Sequence, residues 1–246
     1  MTETRTETVT GGPSRTPRSE IAPAVSANRK KEPVLLLDLS TSMDWSASDE
    51  SGPDFPDPGS RRVIVIGALH GLVTALEDED TEAAAEQAGG SDDMGGLLTF
   101  GFASSPAEIG DLNSANLERR LGEIQWGGGT VIMPAWQLAL ADYDEEFGDR
   151  EPADQPTHLV LVLTDGEATD FREFEPVLEK ASPKRVIVVA VVGHGPKHDA
   201  TVREYQGAAA KNKAQDKFGK CHVVVVSFDS VTDPGEIARD LITLVG

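Results

Sequence analysis

Asp38-Leu39-Ser40-Thr41-Ser42 sets one carboxylate and two hydroxyls at i, i+2 and i+4, directly after the apolar run Val34 to Leu37. Where a strand gives way to a turn, three hard oxygens spaced in this way form a donor set that Mg2+ prefers, because that ion takes oxygen ligands and keeps part of its water shell. A second carboxylate, Asp165, closes the apolar run His158 to Thr164 in Thr164-Asp165-Gly166, and the glycine lets the backbone turn away at once. Between the two in sequence, Gly127-Gly128-Gly129-Thr130 leads towards a helix start and could bring the Thr130 hydroxyl to the same place. Each piece alone has a plain alternative: Asp38 as a turn cap, Ser40 and Ser42 as ordinary loop residues, Thr130 as a helix N-cap.

These groups meet only if the elements beneath them bring them together. Val34 to Asp38, Gly96 to Phe102, His158 to Thr164, Arg185 to Val192 and His222 to Phe228 are nearly continuous apolar runs of strand length, the pattern of strands covered on both faces in a parallel sheet. Met133, Trp136, Leu140, Tyr143 and Phe147 recur at helical spacing, and Ile237, Leu241, Leu244 and Val245 follow the start signal Asp233-Pro234. Asp170 precedes Phe171, Phe174, Val177 and Leu178 as the expected cap of another helix. Arg61 to Asp78 reads as strand by its β-branched residues but as helix by its longer periodicity, and the helix is favoured. A short edge strand fits near Pro106 to Asp111, before a helix near Asn116 to Ile124. Strands alternating with helices predict a three-layer, doubly wound α/β domain, in which ligands bind beyond the carboxyl ends of the strands where the strand order reverses.

Charge and composition narrow the function classes. Cys221 has no partner for a disulfide and is expected to behave as a small buried hydrophobe, and no apolar stretch approaches membrane-spanning length. A cytoplasmic location is expected. The net charge of −20 argues against nucleic acid and anionic lipid, which need Lys and Arg to neutralise phosphate. Residues 1–31 nevertheless carry +3 and little apolar bulk, so they are expected to form a disordered basic tail ahead of a single domain over 32–246. Asp44 to Ser60 and Glu77 to Asp93, with five and eight acids and no base between their ends, are expected to be solvated loops.

Over residues 33–246 the sequence resembles the von Willebrand factor A domain family. Its metal-ion-dependent adhesion site has an Asp-x-Ser-x-Ser motif, a distant Thr and a distant Asp, matched in order by Asp38, Ser40, Ser42, Thr130 and Asp165. Met43 and the Thr-Asp-Gly around Asp165 strengthen the match. The resemblance implies a mostly parallel six-stranded sheet with one short antiparallel edge strand. It also implies a site for Mg2+, with Mn2+ or Ca2+ as substitutes, held by Asp38, Ser40, Ser42 and Thr130 directly or through water and by Asp165 mostly through water. It further implies a stand-alone, bacterial-type binding module with no enzymatic activity, whose protein partner offers an Asp or Glu to the metal within an intracellular assembly. Trp45, in a loop longer than many relatives have, and Trp126, before the glycine run, would form a rim for that partner.

Other chemistries fit these residues less well. A metal-dependent phosphatase of the haloacid dehalogenase type wants a second Asp two residues after the first, and that position is Ser40. A scaffold whose metal is incidental also stays open. An EF-hand-like loop would need glycine where Met43 stands and a long Glu where Asp49 stands. His194 and His198 have a spacing open to zinc, but no cysteine or third histidine lies near them in sequence.

Overall fold

A computed structural model describes residues 31–47, 54–86, 96–166, 168–229 and 233–245. The expected basic tail, apart from Lys31, lies outside the described residues, as do the middle of the first acidic stretch and the end of the second. Six strands form one sheet: β1 (Lys31–Asp38), β2 (Leu97–Phe102), β3 (Pro106–Leu112), β4 (Thr157–Thr164), β5 (Arg185–Gly193) and β6 (Val223–Asp229). Their order is β3-β2-β1-β4-β5-β6, and every neighbouring pair is parallel except β2 with β3. The edge strand shows its position in its sequence. β3 is Pro-Ala-Glu-Ile-Gly-Asp-Leu, with Pro106, Glu108 and Asp111 exposed, whereas all eight residues of β4 are buried.

Helices cover both faces because alternate residues of each central strand point opposite ways. Leu35 and Leu37 pack in one cluster with Ile64, Val65, Ala68, Leu69 and Leu72 of α1 (Arg61–Glu86), Leu117 and Leu121 of α2 (Leu117–Glu123), and Ile237 and Leu241 of α6 (Pro234–Val245). Val34 and Leu36 face the other way. They share a cluster with Trp136 of α3 (Met133–Phe147), Phe174 of α4 (Phe171–Glu179) and Tyr205 of α5 (Pro196–Gln215). The three-layer α/β architecture expected from the sequence is the one observed.

Arg61 to Asp78 is helical, as its periodicity indicated, and Val63 N donates to the buried Ser60 Oγ at the start of that helix (3.4 Å). One expectation needs correction. The second acidic stretch, read as a loop from Glu77, continues α1 as far as Glu86. Runs of Glu and Ala have high helix propensity, and the helix has already been nucleated by its buried first turns. Among the described residues no helix is long and apolar enough to cross a membrane.

Candidate metal centre

β1 and β4 are the neighbours from which the chain winds outwards in opposite directions, so the crevice at their carboxyl ends is the switch point of the sheet. Asp38 is the last residue of β1 and Asp165 follows β4 immediately. Asp38 is wholly buried; its Oδ1 accepts from the Ser40 amide (2.8 Å) and its Oδ2 from the Thr164 hydroxyl (2.6 Å). A short 3-10 turn, Thr41–Asp44, then folds back, pinned by the fully buried Met43, whose amide donates to Ser40 O (3.1 Å). This turn brings Ser42 Oγ within 3.1 Å of Ser40 Oγ, and Ser42 Oγ donates to Asp165 Oδ1 (2.9 Å). Four of the five residues singled out in the sequence thus lie in one contiguous cluster of oxygens. Thr41 is exposed and Ser42 half-buried, so the cluster reaches the surface along this turn.

Thr130, buried at the start of the α3 approach, is placed by clamps on both sides. On one side Gly127 N donates to Leu39 O (2.7 Å), Thr41 N to Gly128 O (3.2 Å) and Gly128 N to Thr41 Oγ1 (2.9 Å). Gly128 has φ +97°, and a Cβ there would lie 2.6 Å from Ser104 Oγ, so only glycine fits this crossing. On the other side the Thr169 amide and hydroxyl both donate to Thr130 O (2.7 and 2.9 Å). Asp170 completes the second clamp. The sequence marks it as the cap of α4, but it makes no side-chain cap bond there; its carboxylate accepts from Ile132 N (3.0 Å) and Met133 N (2.8 Å) at the start of α3. The backbone of Thr130 is therefore tied both to the turn after Asp38 and to the segment after Asp165.

Sequence reasoning missed a buried cation. The Arg61 guanidinium, from the first residue of α1, forms an ion pair with Asp165 Oδ2 and donates to Ser42 O (3.1 Å). A signal was present: Arg61 and Arg62 are the only Lys or Arg between Lys31 and Arg119. Burial, and then the nearby charge of Asp165, push the Asp38 carboxyl up to about 7, against the hydrogen bonds from Thr164 and Ser40. Asp165 is also raised by burial, although Arg61 and Ser42 draw it the other way. Arg61 pairs with Asp165 alone, and Asp38 has hydrogen bonds but no cation beside it, which leaves the pocket short of positive charge. Among the described residues no three His, Cys, Asp or Glu side chains are placed to hold a metal ion. An ion at Asp38 and Asp165 would take the rest of its shell from hydroxyl oxygens and water, and this hard-oxygen set suits Mg2+ or Mn2+.

The aromatic rim divides in two. Trp126 packs against the core and its indole N–H donates to Leu121 O (3.0 Å), while Trp45 is 40% exposed. Arg62 stacks between the rings of Phe55 (3.9 Å) and Trp126 (4.3 Å) and pairs with Asp44 (3.2 Å). The legs of the first acidic loop are zipped by the Ser46–Ser60 bridge and by bonds from Ala47 N to Gly59 O (2.9 Å) and from Arg61 N to Trp45 O (2.9 Å). His194 and His198 bond to Asp229 (2.6 Å) and Ser227 (2.9 Å), respectively.

No family model matches the sequence, and a comparison with curated proteins finds no match. Solved structures do match. A manganese-loaded TRAP protein of Plasmodium vivax is 17% identical with a TM-score of 0.52, over 89% of this chain and 75% of that one. The SpRpn10 VWA domain is 10% identical with a TM-score of 0.54, over 87% and 94%. The PilB minor pilin from Streptococcus sanguinis is 13% identical with a TM-score of 0.53, over 90% and 63%. At these identities the likeness is one of fold: the chain has the von Willebrand factor A fold.

Proposed function

We propose that this von Willebrand factor A fold is a protein-binding module that holds a divalent cation, Mg2+ or Mn2+, at Asp38, Ser40, Ser42, Thr130 and Asp165, and that it binds without catalysing a reaction. The observation that carries this reading is the bond from Ser42 to Asp165, which joins the motif after β1 to the carboxylate after β4 (2.9 Å). A bound divalent ion would supply a positive centre able to attract a carboxylate of the partner into a partly dry interface. That a chain of the same fold has been solved with manganese bound supports the reading.

The chain's own residues do the rest. Asp38 and Asp165 provide the negative charge, Thr164 orients Asp38, and the 3-10 turn sets the Ser42 hydroxyl beside that of Ser40, the residue before it. Arg61 offsets part of the charge on Asp165, so the site carries less negative charge than its two carboxylates alone would give. Trp45, exposed beside the turn, would be an anchor at the edge of the interface. Because the body of the protein is strongly acidic, the partner's Asp or Glu should sit among basic side chains. A pull-down from lysate with Mg2+ and with chelator, using wild type and Asp38→Ala, tests this. Capture that depends on both the metal and Asp38 is expected; equal capture in chelator would refute the reading.

A further inference from the structure

Gly193 ends β5 at the same end of the sheet as Asp165, since Thr164 and Val191 are partners in the pairing of β4 with β5. Its φ of +148° suits glycine, and its surroundings leave little room for anything larger. A Cβ there would lie 3.3 Å from Arg61 Nε and 3.4 Å from His198 Nδ1, the two atoms nearest to it. Arg61 opens α1 and His198 lies in the first turn of α5, so helices from opposite faces of the sheet meet over the end of β5. Both side chains are buried, in residues 7% and 2% exposed, and neither of these two nitrogens has a hydrogen-bond partner among the described residues. Buried polar atoms without partners are uncommon, and here two of them border the same spot.

Their chemistries are complementary. Arg61 Nε carries a hydrogen and can only donate. Burial holds His198 below the usual imidazole range, against the charges of Asp229 and Asp199 and with a smaller push from Arg61 and His194. At neutral pH it is therefore an uncharged ring with one donor and one acceptor nitrogen. Its Nε2 lies 2.9 Å from Ser227 Oγ on β6, a hydroxyl that serves in either role. Two N–H groups facing each other would repel, so the favoured tautomer carries its hydrogen on Nε2 and leaves Nδ1 bare beside Arg61.

The consequence reaches the metal centre. Arg61 meets Asp165 Oδ2 and Ser42 O through the same nitrogen, Nη1. A guanidinium held at one terminal nitrogen keeps freedom to swing about it. Because the group is planar and rigid, a second hold at Nε fixes both its plane and its aim. We propose that His198 is a positioning residue for the candidate metal centre: its Nδ1 accepts from Arg61 Nε–H, directly or through one water, and so sets how Arg61 engages Asp165. The connection then runs from Ser227 through His198, Arg61 and Asp165 to Ser42, from β6 to the turn after β1. Its bearing on a metal rests on the reading of Asp165 as a ligand; the bond between His198 and Arg61 does not.

Three measurements on the full chain test this. Nitrogen-15 NMR in chelator at neutral pH should show His198 with a bare Nδ1 and a protonated Nε2. The Arg61 Nε–H proton should move upfield in His198→Phe and return in His198→Asn, whose amide oxygen takes the place of Nδ1. In a urea-unfolding cycle of His198→Phe with Arg61→Gln, the two effects on the unfolding constant should depart from independence by about fivefold or more. Calorimetry with Mn2+ should find about fivefold tighter binding in His198→Phe than in wild type, and no such gain once Arg61 is Gln. An Nδ1–H tautomer, an Arg61 signal indifferent to His198→Phe, or independent effects in the cycle would overturn the bond. Mn2+ affinity equal in wild type and His198→Phe would overturn its link to the metal centre. Wild type that binds no Mn2+ would refute the metal reading itself, while the NMR and the cycle still decide for or against His198.

Discussion

Ser42 Oγ donates to Asp165 Oδ1 across 2.9 Å, joining residues 123 positions apart in sequence. The same hydroxyl lies 3.1 Å from Ser40 Oγ, so a single serine links the turn after β1 to the loop after β4. If the cluster is a cation site, Ser42→Ala should weaken Mn2+ binding about tenfold or more, and Asp38→Ala should abolish it, with far-ultraviolet circular dichroism unchanged. Titration calorimetry reads both, and Mn2+ affinity that survives Asp38→Ala would place the ion elsewhere.

Arg61 and Asp165 form a buried ion pair, and breaking such a pair from one side leaves an uncompensated charge at a cost of about 3–5 kcal/mol. Arg61→Gln should therefore lower the melting temperature clearly in chelator. The same substitution frees Asp165 for a divalent ion, so Mn2+ should raise the melting temperature of the variant more than that of wild type. Equal metal-induced shifts in the two proteins would show that Arg61 and the ion do not share Asp165.

Asp170 caps a helix that is not its own, accepting from Ile132 N and Met133 N. Asp170→Ala should cost about 1 kcal/mol, the usual scale of a lost cap, measured by urea unfolding. Mn2+ affinity should fall as well, because Asp170 helps tie the Thr130 segment to the loop after β4. An unchanged affinity would mean that Thr130 is positioned without it.

His158 makes the fold sensitive to acid. Burial, and then the charge of Arg185, hold it down to about 3, whereas in the unfolded chain it titrates near 6.5. Between those values the unfolded chain binds the extra proton. The contribution is therefore complete above about pH 6.5 and is lost as the pH falls towards 3, at up to about 1.4 kcal/mol per pH unit. His158→Phe keeps an aromatic ring against Tyr143 and should flatten the stability profile across that window. A variant whose stability falls as steeply as wild type between pH 6.5 and 4 would remove His158 from the account.

The architecture was legible because the physics is local and repetitive. Strands buried on both faces must be apolar throughout, as Leu35 to Leu37 and Leu159 to Leu163 are. Helices over them must carry apolar stripes, as Met133 to Phe147 does. The spacing of Asp38, Ser40 and Ser42 is local in the same sense, since a single tight turn brings their oxygens together. Asp165 and Thr130 could be named but not placed, because their meeting with that turn depends on β1 lying beside β4 and on the clamps of Gly128, Thr169 and Asp170.

Three relationships belonged to the tertiary structure alone. Arg61 reaches Asp165 only because the start of α1 is buried beside the crevice, and a pair of arginines after an acidic loop reads equally well as solvated charge. Asp170 sits at an ideal cap position for α4 and bonds to α3, a choice between two helix ends that nearby sequence cannot make. Arg61 and His198 come from helices on opposite faces and meet beside Gly193 only once the sheet has assembled between them. Local pattern alone says which faces are apolar and which residues carry charge; long-range packing settles which of those charges meet, because ion pairs and caps depend on distances that no local spacing encodes.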